Sequence, residues 1–365
     1  MSPVLIENLD RDIEVIRKRR GKHSIHTGAE EPPITKIPLE SPALMRITSG
    51  GIPLGRITRV WGGPGGGKSR IAYLIAKASQ DLRGPNFPVG LMVCWHDIEA
   101  VYSKEYAEFL GLNINTLLIR EGDIIEDVAR ELQLLLGSCH VHILDSVSEG
   151  KPQDRLNKDA GDWDVGLKVR VWEKAFEYIT NAMDKQENAI VTIDHASQNF
   201  KTKSEKPLGG KELEHQSGLN LQVKQTKWLY YDDEGLLQTE DKLKEKGIIG
   251  IAGMKEADGQ EIVVNVSRSR VCRPFRKAHL RLDLNTHQFD HTFELMEGAE
   301  YLDKQGNVAH RSGQPAIADR GKSKQGGWVT LPSGQKLQGE RSLRQMIDAD
   351  KDLADMIRKA MLAGT

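Results

Sequence analysis

A glycine-rich run that ends in lysine and serine lies between an apolar stretch and a helical one. The run fits the pattern G-x-x-x-x-G-K-[ST] at every position and consists of Gly62, Gly63, Pro64, Gly65, Gly66, Gly67, Lys68 and Ser69. Glycines let successive backbone N–H groups turn inward around phosphate groups, and the following helix adds the positive end of its dipole. A lysine in this position neutralises the β- and γ-phosphates, and a serine hydroxyl ligates Mg²⁺. The run therefore predicts a binding site for ATP and Mg²⁺.

Acidic residues follow two other apolar runs. Asp145 comes directly after Val141–Leu144, where a phosphate-loop ATPase needs a carboxylate to hold the Mg²⁺ shell. The alternative is an aspartate that caps the following turn. The run Val89–Cys94 leads to Asp97 and Glu99, and a carboxylate there could polarise the attacking water. Spacing alone does not separate these two residues, although we prefer Glu99.

A fourth apolar run ends in a histidine and leads into a lysine-bearing segment. Ala189–Ile193 is followed by Asp194 and His195, and the polar segment Ser197–Gly210 comes next. A polar side chain at such a strand end can report the γ-phosphate to the segment beyond it, and an ordinary solvent-exposed histidine is the alternative. Loops of this length within a compact domain are usually functional or disordered. The segment carries Lys201, Lys203 and Lys206 against the single acid Glu205.

The pattern around these motifs predicts an α/β core with a mostly parallel sheet, because short apolar runs alternate with helical segments. The predicted strands are Ile57–Trp61, Val89–Cys94, Val141–Leu144, Ala189–Ile193, Ile248–Ile251 and Ile262–Val266. The predicted helices are Ser69–Gln80, Ile124–Leu136 and Val169–Lys185. Two polar core segments, Glu149–Gly166 and Ser197–Gly210, show no periodicity and are interpreted as loops.

Composition narrows the functional classes. The 365 residues are 38% hydrophobic and 28% charged with a net charge of −1, so no overall basic character points to nucleic acid. No apolar run approaches the ~20 residues of a membrane span, and no signal-peptide core is present. Cys94, Cys139 and Cys272 show neither metal-ligand pairing nor a disulfide framework. Cys94 and Cys139 are interpreted as buried packing residues, and the expected compartment is a reducing cytoplasm.

Three regions are predicted along the chain. Residues 1–45 comprise an amphipathic basic helix over 1–24 and a linker, and the helix is either a solvated end or an arm that docks on a neighbouring subunit. Residues 46–285 form the ATPase core. Residues 286–365 form a small separate α/β domain that closes with two helices, after a flexible segment at Ser312–Gly327.

Several stretches together resemble the RecA family of DNA strand-exchange recombinases and its archaeal and eukaryotic relatives. Ile16–Ile25 is similar to the family's N-terminal segment, and Ser49–Ser69 resembles the approach to its phosphate loop. Asp97–Leu112 resembles the stretch with the catalytic glutamate, which the resemblance assigns to Glu99. In that stretch Tyr106 matches the aromatic residue that stacks on adenine. The segment His142–Val147 matches the second Mg²⁺ motif, with the ligand at Asp145.

The resemblance also implies DNA-binding residues. Two family loops line the filament axis, and they correspond to Glu149–Gly166 and Ala196–Gly210. In the second loop Phe200 matches an apolar residue that wedges between base triplets. His195 stands where the family usually has the glutamine that senses the γ-phosphate. The implied DNA contacts are Phe200, Lys201, Lys203, Lys206, Gly209, Gly210, Lys211 and His215, the last as in archaeal and eukaryotic members.

Two further features of the family concern assembly. Arg268 and Arg270 occupy a segment in which two lysines reach across the subunit interface to the neighbour's ATP. Arginine keeps the charge and adds bidentate geometry. Residues 327–362 resemble the C-terminal domain that gathers duplex DNA, without the acidic tail common in bacterial members.

These expectations converge on a DNA-dependent ATPase that polymerises into helical filaments on single-stranded DNA and pairs it with homologous duplex DNA. Two alternatives stay open. One is an ATPase of this fold with another task, such as a helicase or a branch-migration factor. The other is a nucleotide-gated DNA-binding protein that barely hydrolyses ATP, which His195 and the acidic Glu214 favour.

Overall fold

The protein is described by a computed structural model that covers residues 3–20, 25, 33–154, 165–183, 188–198, 205–208, 210–245, 256–307, 309, 316–317 and 328–363. The chain divides into two compact units, Met1–Thr35 and Lys36–Thr365. In the first unit, helix α1 runs over Pro3–Arg20, as the sequence predicts. The guanidinium Nε of Arg17 donates a hydrogen bond to the carbonyl of Ile25 at 3.2 Å.

A large mixed sheet organises the second unit. In chain order the strands are β1 Lys36–Ile37, β2 Ile52–Pro53, β3 Ile57–Gly62, β4 Val93–Asp97, β5 Leu117–Glu121, β6 Val141–Asp145, β7 Ala189–Gln198, β8 Glu205–Pro207, β9 Leu219–Tyr231, β10 Leu237–Thr239, β11 Gly259–Ser269, β12 Lys277–Asp283, β13 Trp328–Thr330 and β14 Lys336–Gln338. In the described residues the large sheet has the order β12-β11-β9-β3-β7-β6-β4-β5, with β10 on β9 and β8 on β7. Strands from β9 to β5 pair in parallel, whereas β8, β10, β11 and β12 pair antiparallel. The predicted α/β class with a mostly parallel sheet is confirmed.

Helices cover both faces of the parallel strands. The helices are α2 Pro42–Ile47, α3 Lys68–Asp81, α4 Lys104–Phe109, α5 Ile125–Leu135, α6 Val165–Ala182, α7 Gly210–Gln216, α8 Glu240–Glu245, α9 His291–Gly298, α10 Gly339–Ala349 and α11 Lys351–Ala363. Side chains alternate between the two faces of a strand, so the neighbours Ile143 and Leu144 on β6 enter different cores. Ile143 joins the core that contains α3, and Leu144 joins the core that contains α5 and α6.

Most predicted elements overlap with observed ones, but the predicted strand Val89–Cys94 was wrong in its position. The observed β4 begins at Val93, and Val89 is 85% exposed. Gly90 has a φ of +92°, and a Cβ atom at this position would lie 2.1 Å from the carbonyl oxygen of Gln80. The chain therefore bends tightly past the end of α3 before the strand can begin. The predicted strand Ile248–Ile251 lies outside the described residues.

The interpretation of Ser197–Gly210 as a loop was wrong in part. β7 continues through Gln198, and β8 pairs with it antiparallel, with Ala196 opposite Pro207. Residues 199–204 and 209 lie outside the described part, as do 155–164 of the other predicted loop. The turn Val147–Glu149 leads into that loop, and α6 begins at Val165, near its predicted end.

Strands β5, β9 and β12 were not predicted. The sequences of β9 and β12 mix lysine, glutamine or arginine with apolar residues that alternate along much of each strand, whereas β5 is short and has three consecutive apolar residues before Arg120. Ala278, Leu280 and Leu282 of β12 are buried at every second position. Such alternation is typical of a strand with one solvated face, whereas the prediction relied on continuous apolar runs.

The C-terminal residues have a hydrophobic core of their own. This core includes Leu295, Leu302, Val329, Leu343 and Ile357, and the two predicted closing helices are α10 and α11. Buried Glu294 of α9 links this part to the start of the unit, because its Oε2 accepts hydrogen bonds from Ser41 Oγ at 2.6 Å and from the Ala43 backbone N–H at 2.9 Å. None of the helices among the described residues has the length and apolar character that a membrane span requires.

Candidate nucleotide-binding cleft

The glycine-rich run joins the carboxyl end of β3 to the first turn of α3, the position that its motif predicts. Gly62 is required by a close approach, because a Cβ atom there would lie 1.9 Å from the carbonyl oxygen of Val223 on β9. Gly67 has a φ of +88°, and its Cβ atom would meet the Ile262 side chain at 2.6 Å. The loop is therefore packed against β9 and β11, and side chains at these two positions would displace it.

Lys68 is the cation of this loop. Its ammonium group donates a hydrogen bond to the carbonyl of Gly63 at 2.8 Å, which folds the side chain back across the loop. Burial lowers the pKa of Lys68, while Asp145, Glu99 and Asp194 raise it. The side chain is 94% buried at the amino end of a helix, so its charge acts in a poorly solvated site that also favours anions.

Asp145 ends β6 beside the loop. Burial, followed by the charges of Glu99 and Asp97, raises the pKa of Asp145 to about 7, against the opposing effects of Lys68 and of a hydrogen bond with Ser69. A divalent cation favours the ionised carboxylate and replaces the proton in such a site. Asp145 and the Ser69 hydroxyl are hard oxygen donors in mutual contact, so these residues fit Mg²⁺.

The structure separates the two acids that sequence spacing left ambiguous. The carboxylate of Asp97 is occupied by the backbone, since its oxygens accept hydrogen bonds from the N–H groups of Val101 and Tyr102, both at 3.0 Å. Glu99 instead lines the cleft and remains 32% exposed. Asp97 therefore shapes the loop, and Glu99 is the carboxylate that can meet a ligand.

His195 connects the cleft with the β7–β8 hairpin that follows it in the chain. It lies opposite Gly62 in the parallel pairing of β3 and β7, and its Nε2 is 3.5 Å from Glu99 Oε1. Its backbone N–H donates to Ser148 Oγ at 2.8 Å, and its carbonyl accepts from the Leu208 N–H at 2.9 Å. The β7–β8 hairpin thus begins at the residue that contacts Glu99.

The outer part of the cleft is aromatic. The ring of Tyr106 packs edge-on against Tyr73 with centroids 5.3 Å apart, and its hydroxyl lies 3.3 Å from His287 Nδ1. Arg70, Gln260 and His287 also line this cleft, which has a volume of about 470 Å³. Sequence reasoning missed these three residues. Arg70 directly follows the phosphate-loop motif, whereas Gln260 and His287 lie in no motif. Tyr106 lies at the rim, where a planar base can reach it.

Residues 7–286 match the model of the RecA N-terminal domain family. The chain belongs to the RecA family. The chain is similar to the RecA proteins of Acidothermus cellulolyticus and Bacillus licheniformis, each 26% identical over 96% of this chain and 90% of the relative. The RecA protein of Chlorobaculum parvum is 24% identical over 100% of this chain and 95% of the relative.

In this RecA-family chain, the segment predicted to bind DNA is anchored at both described ends. Exposed Lys206 lies on β8, and Gly210 begins α7, which also contains Lys211. The Gly210 carbonyl accepts a hydrogen bond from Arg59 Nη1 at 3.3 Å. Arg59 is buried on β3 and pairs with buried Asp194, next to His195, through Nε–Oδ2 at 2.6 Å. The predicted contacts Phe200, Lys201, Lys203 and Gly209 lie outside the described residues.

The two arginines predicted to act across a RecA-family interface lie at the far end of β11 and contact α7. Arg268 Nη1 is 2.9 Å from His215 Nδ1, and Arg270 Nη2 donates to the His215 carbonyl at 2.6 Å. Within one chain they thus meet the predicted DNA-contacting histidine, and they do not line the cleft of their own subunit.

Proposed function

We propose that this RecA-family chain is an ATP-dependent recombinase that polymerises on single-stranded DNA and promotes homologous pairing and strand exchange. The main support for this proposal is the cleft at the carboxyl ends of four neighbouring parallel strands, where Lys68, Ser69, Asp145 and Glu99 converge. Ligands of open α/β sheets bind at this edge. The similarity to RecA proteins over almost the whole chain supports the same function.

Each residue of the cleft has a distinct role in the proposed ATP hydrolysis. The backbone N–H groups of Gly62–Gly67 cradle the phosphates, and Lys68 neutralises the β- and γ-phosphates. Ser69 and Asp145 would hold Mg²⁺, which would supply charge neutralisation at the phosphates. Glu99 accepts a hydrogen bond from the attacking water and orients it. Tyr106 stacks on the adenine ring.

The proposed link between ATP and DNA runs through the hairpin that starts at His195. A γ-phosphate in the cleft competes with Glu99 for the imidazole, and a shift of His195 passes directly into the ladder of β7 and β8. The lysines of this segment, Lys201, Lys203 and Lys206, then contact the DNA backbone, and Phe200 wedges between bases. Base pairing between DNA strands supplies sequence specificity, so the protein needs no base-edge readout.

Filament assembly is proposed to complete the site. Arg268 and Arg270 of one subunit would reach the nucleotide of its neighbour, where cations supplied in trans can raise the hydrolysis rate by ~10³–10⁵. Their contact with His215 connects this function to the predicted DNA-binding residues. Residues 1–45 would dock on the adjacent subunit. Residues 286–365, which have their own core, would act as the domain that gathers duplex DNA.

The decisive experiment measures ATP hydrolysis by the full chain with and without single-stranded DNA over a series of salt concentrations. We expect DNA to stimulate hydrolysis and the stimulation to fade with salt, because phosphate contacts release counterions. Replacing Lys201, Lys203 and Lys206 together by alanine should weaken DNA binding and flatten its salt dependence. An ATP hydrolysis rate that does not change when single-stranded DNA is added would overturn the recombinase assignment.

One observation favours a second candidate, a nucleotide-gated DNA-binding protein with slow hydrolysis. The 3.5 Å contact between His195 Nε2 and Glu99 Oε1 occupies the carboxylate that would orient the water. In this case ATP promotes DNA binding while turnover stays negligible at saturating DNA. Electron microscopy tests the remaining alternative, since a helicase of this fold forms closed rings and a recombinase forms helical filaments.

A reducing cytoplasm is the proposed compartment. Cys94, Cys139 and Cys272 are all free thiols, and free cysteines are typical of proteins kept in reducing surroundings.

A further inference from the structure

A second cluster of chemically reactive side chains lies inside the sheet, away from the cleft. Cys94 and His96 are two residues apart on β4 and so point to the same face. His142 lies beside them on β6, where it is the direct partner of Cys94 in the parallel pairing. All three side chains are buried, and one potential ligand atom from each lies within 4.8 Å of the other two.

Cys139 is a further sulfur donor beside this group. It is buried three residues before His142, and its interaction with Cys94 raises the pKa of Cys94 and lowers that of Cys139. Its sulfur is not among the three ligand atoms that lie within 4.8 Å of one another. The region therefore offers two sulfur and two imidazole donors, from β4, β6 and the segment just before β6.

We propose that Cys94, His96 and His142 form a structural site for a divalent transition metal of the zinc type, with Cys139 as the fourth ligand after a movement of its side chain. Two cysteines and two histidines are a donor set of closed, four-coordinate structural zinc sites. Thiolate and imidazole ligands select such a metal over Mg²⁺, which prefers oxygen. The site is thus chemically distinct from the proposed Mg²⁺ site at Ser69 and Asp145.

The geometry of the two histidines suits this ligation. His142 Nε2 is 3.3 Å from the Cys139 carbonyl oxygen, so its N–H can donate there and leave the lone pair on Nδ1. This arrangement is the usual support for a metal-bound histidine. His142 Nδ1 lies 3.1 Å from His96 Nε2, near the ~3.3 Å that separates two nitrogens bound to one tetrahedral zinc at ~2.0 Å. Small side-chain movements would therefore admit the ion.

The position of the cluster gives the metal a consequence for the cleft. β4 continues from His96 to Asp97 and the Glu99 loop, and β6 continues from His142 to Asp145, with Asp97 opposite Asp145 in the pairing. Cys94 and His142 thus lie three residues, about 10 Å, before the acids at the strand ends. A metal bound here would hold the two strands together beneath Glu99 and Asp145.

Metal content of the purified full chain tests the proposal. We expect about one zinc ion per chain after expression with added zinc and dialysis against metal-free buffer, as measured by elemental mass spectrometry. Replacement of the metal by Co²⁺ should produce visible absorption bands and a thiolate-to-cobalt charge-transfer band. Cys94→Ser should lose the metal and these bands. The matched variant Cys272→Ser should retain both, because Cys272 lies elsewhere and its Sγ bonds Ser269 Oγ at 3.1 Å.

Three results would overturn the site. They are a folded wild-type chain without stoichiometric metal, a cobalt-treated chain without thiolate bands, and a Cys94–Cys139 disulfide found by mass spectrometry under non-reducing conditions. If Cys94→Ser does not fold, measurements on the wild-type chain still test the metal site. Its cobalt spectrum and the release of zinc by a thiol-modifying reagent require no variant. These readouts do not depend on DNA or ATP, so they remain separate from the recombinase test.

Discussion

Strands β3, β4, β6 and β7 carry polar side chains at two depths, and the two sets differ in their surroundings. At the strand ends, Lys68, Glu99, Asp145 and His195 line a cleft of about 470 Å³ and face a space that a ligand can enter. A few residues before the strand ends, the Arg59–Asp194 pair and the Cys94–His96–His142 cluster are buried within the sheet. The first set borders the open space of the cleft, while members of the second set contact one another.

This difference separates function from support. Polar groups at strand ends keep unsatisfied charge for a ligand, and Asp145 illustrates this because burial and neighbouring acids raise its pKa to about 7 until a cation arrives. Polar groups within the strands are costly unless they are paired. Removing a group from the first set should therefore change ligand binding or turnover, and removing one from the second should change folding stability.

The largest effect is expected for Lys68→Ala. Loss of a positioned cation at the phosphates should reduce ATP hydrolysis by about 10³-fold, in line with the loss of a preorganised charge-stabilising donor, and should abolish ATP-dependent filament assembly. The matched control is Lys77→Ala on α3, where the lysine forms an exposed ion pair with Asp81. Filaments as abundant as those of the wild type would contradict the role of Lys68.

Arg59→Met should act on stability. The variant leaves Asp194 buried without its partner, and breaking a buried pair in this way costs about 3–5 kcal/mol. We expect the low end, about 3 kcal/mol, because burial already raises the pKa of Asp194 and the carboxyl group can take up a proton. Urea unfolding measures the loss. The double variant with Asp194→Leu should recover part of it, and no recovery would show that the charge pairing is not the cause.

Glu99→Gln should reduce turnover by about 100-fold, near the low end for a residue that manages a proton, because His195 already engages this carboxylate. ATP binding should persist, as measured by equilibrium titration with a fluorescent nucleotide. Glu108→Gln on α4, an exposed position, serves as the control. Equal turnover of the Glu99→Gln and Glu108→Gln variants would show that Glu99 takes no part in ATP hydrolysis.

The smallest effect concerns pH. Because Mg²⁺ requires ionised Asp145, Mg²⁺-dependent ATP affinity should fall by up to about tenfold per pH unit below pH 7. For the nucleotide-free protein the sign is opposite. The pKa of Asp145 is higher in the folded state than in the unfolded state, so its contribution to stability declines as pH rises from about 4 to about 7. Thermal unfolding of the wild type and Asp145→Asn over this range should differ in slope accordingly, and parallel curves would refute the raised pKa.

The α/β class and the elements around the phosphate loop were predictable because their patterns are local. Strands β3, β6 and β7 are continuous apolar runs in the centre of the sheet, and α3, α5 and α6 have clear helical periodicity. Strands β9 and β12 were missed because polar residues, among them exposed Lys224 and Lys277 and buried Arg281, interrupt their apolar positions. The position of β4 depended on a bend at Gly90, which exists only because the chain passes close to Gln80.

The candidate site divides in the same way. The sequence by itself determined the phosphate-loop motif and, through its resemblance, the family membership, since a contiguous motif places backbone N–H groups, a lysine and a hydroxyl by local geometry alone. Only the tertiary structure showed that backbone N–H groups occupy the Asp97 carboxylate while Glu99 lines the cleft, set Arg268 and Arg270 against His215, and brought Cys94 beside His142. The physical reason is that lateral strand pairing joins residues far apart in the chain, and no spacing within either segment encodes the neighbour it will meet.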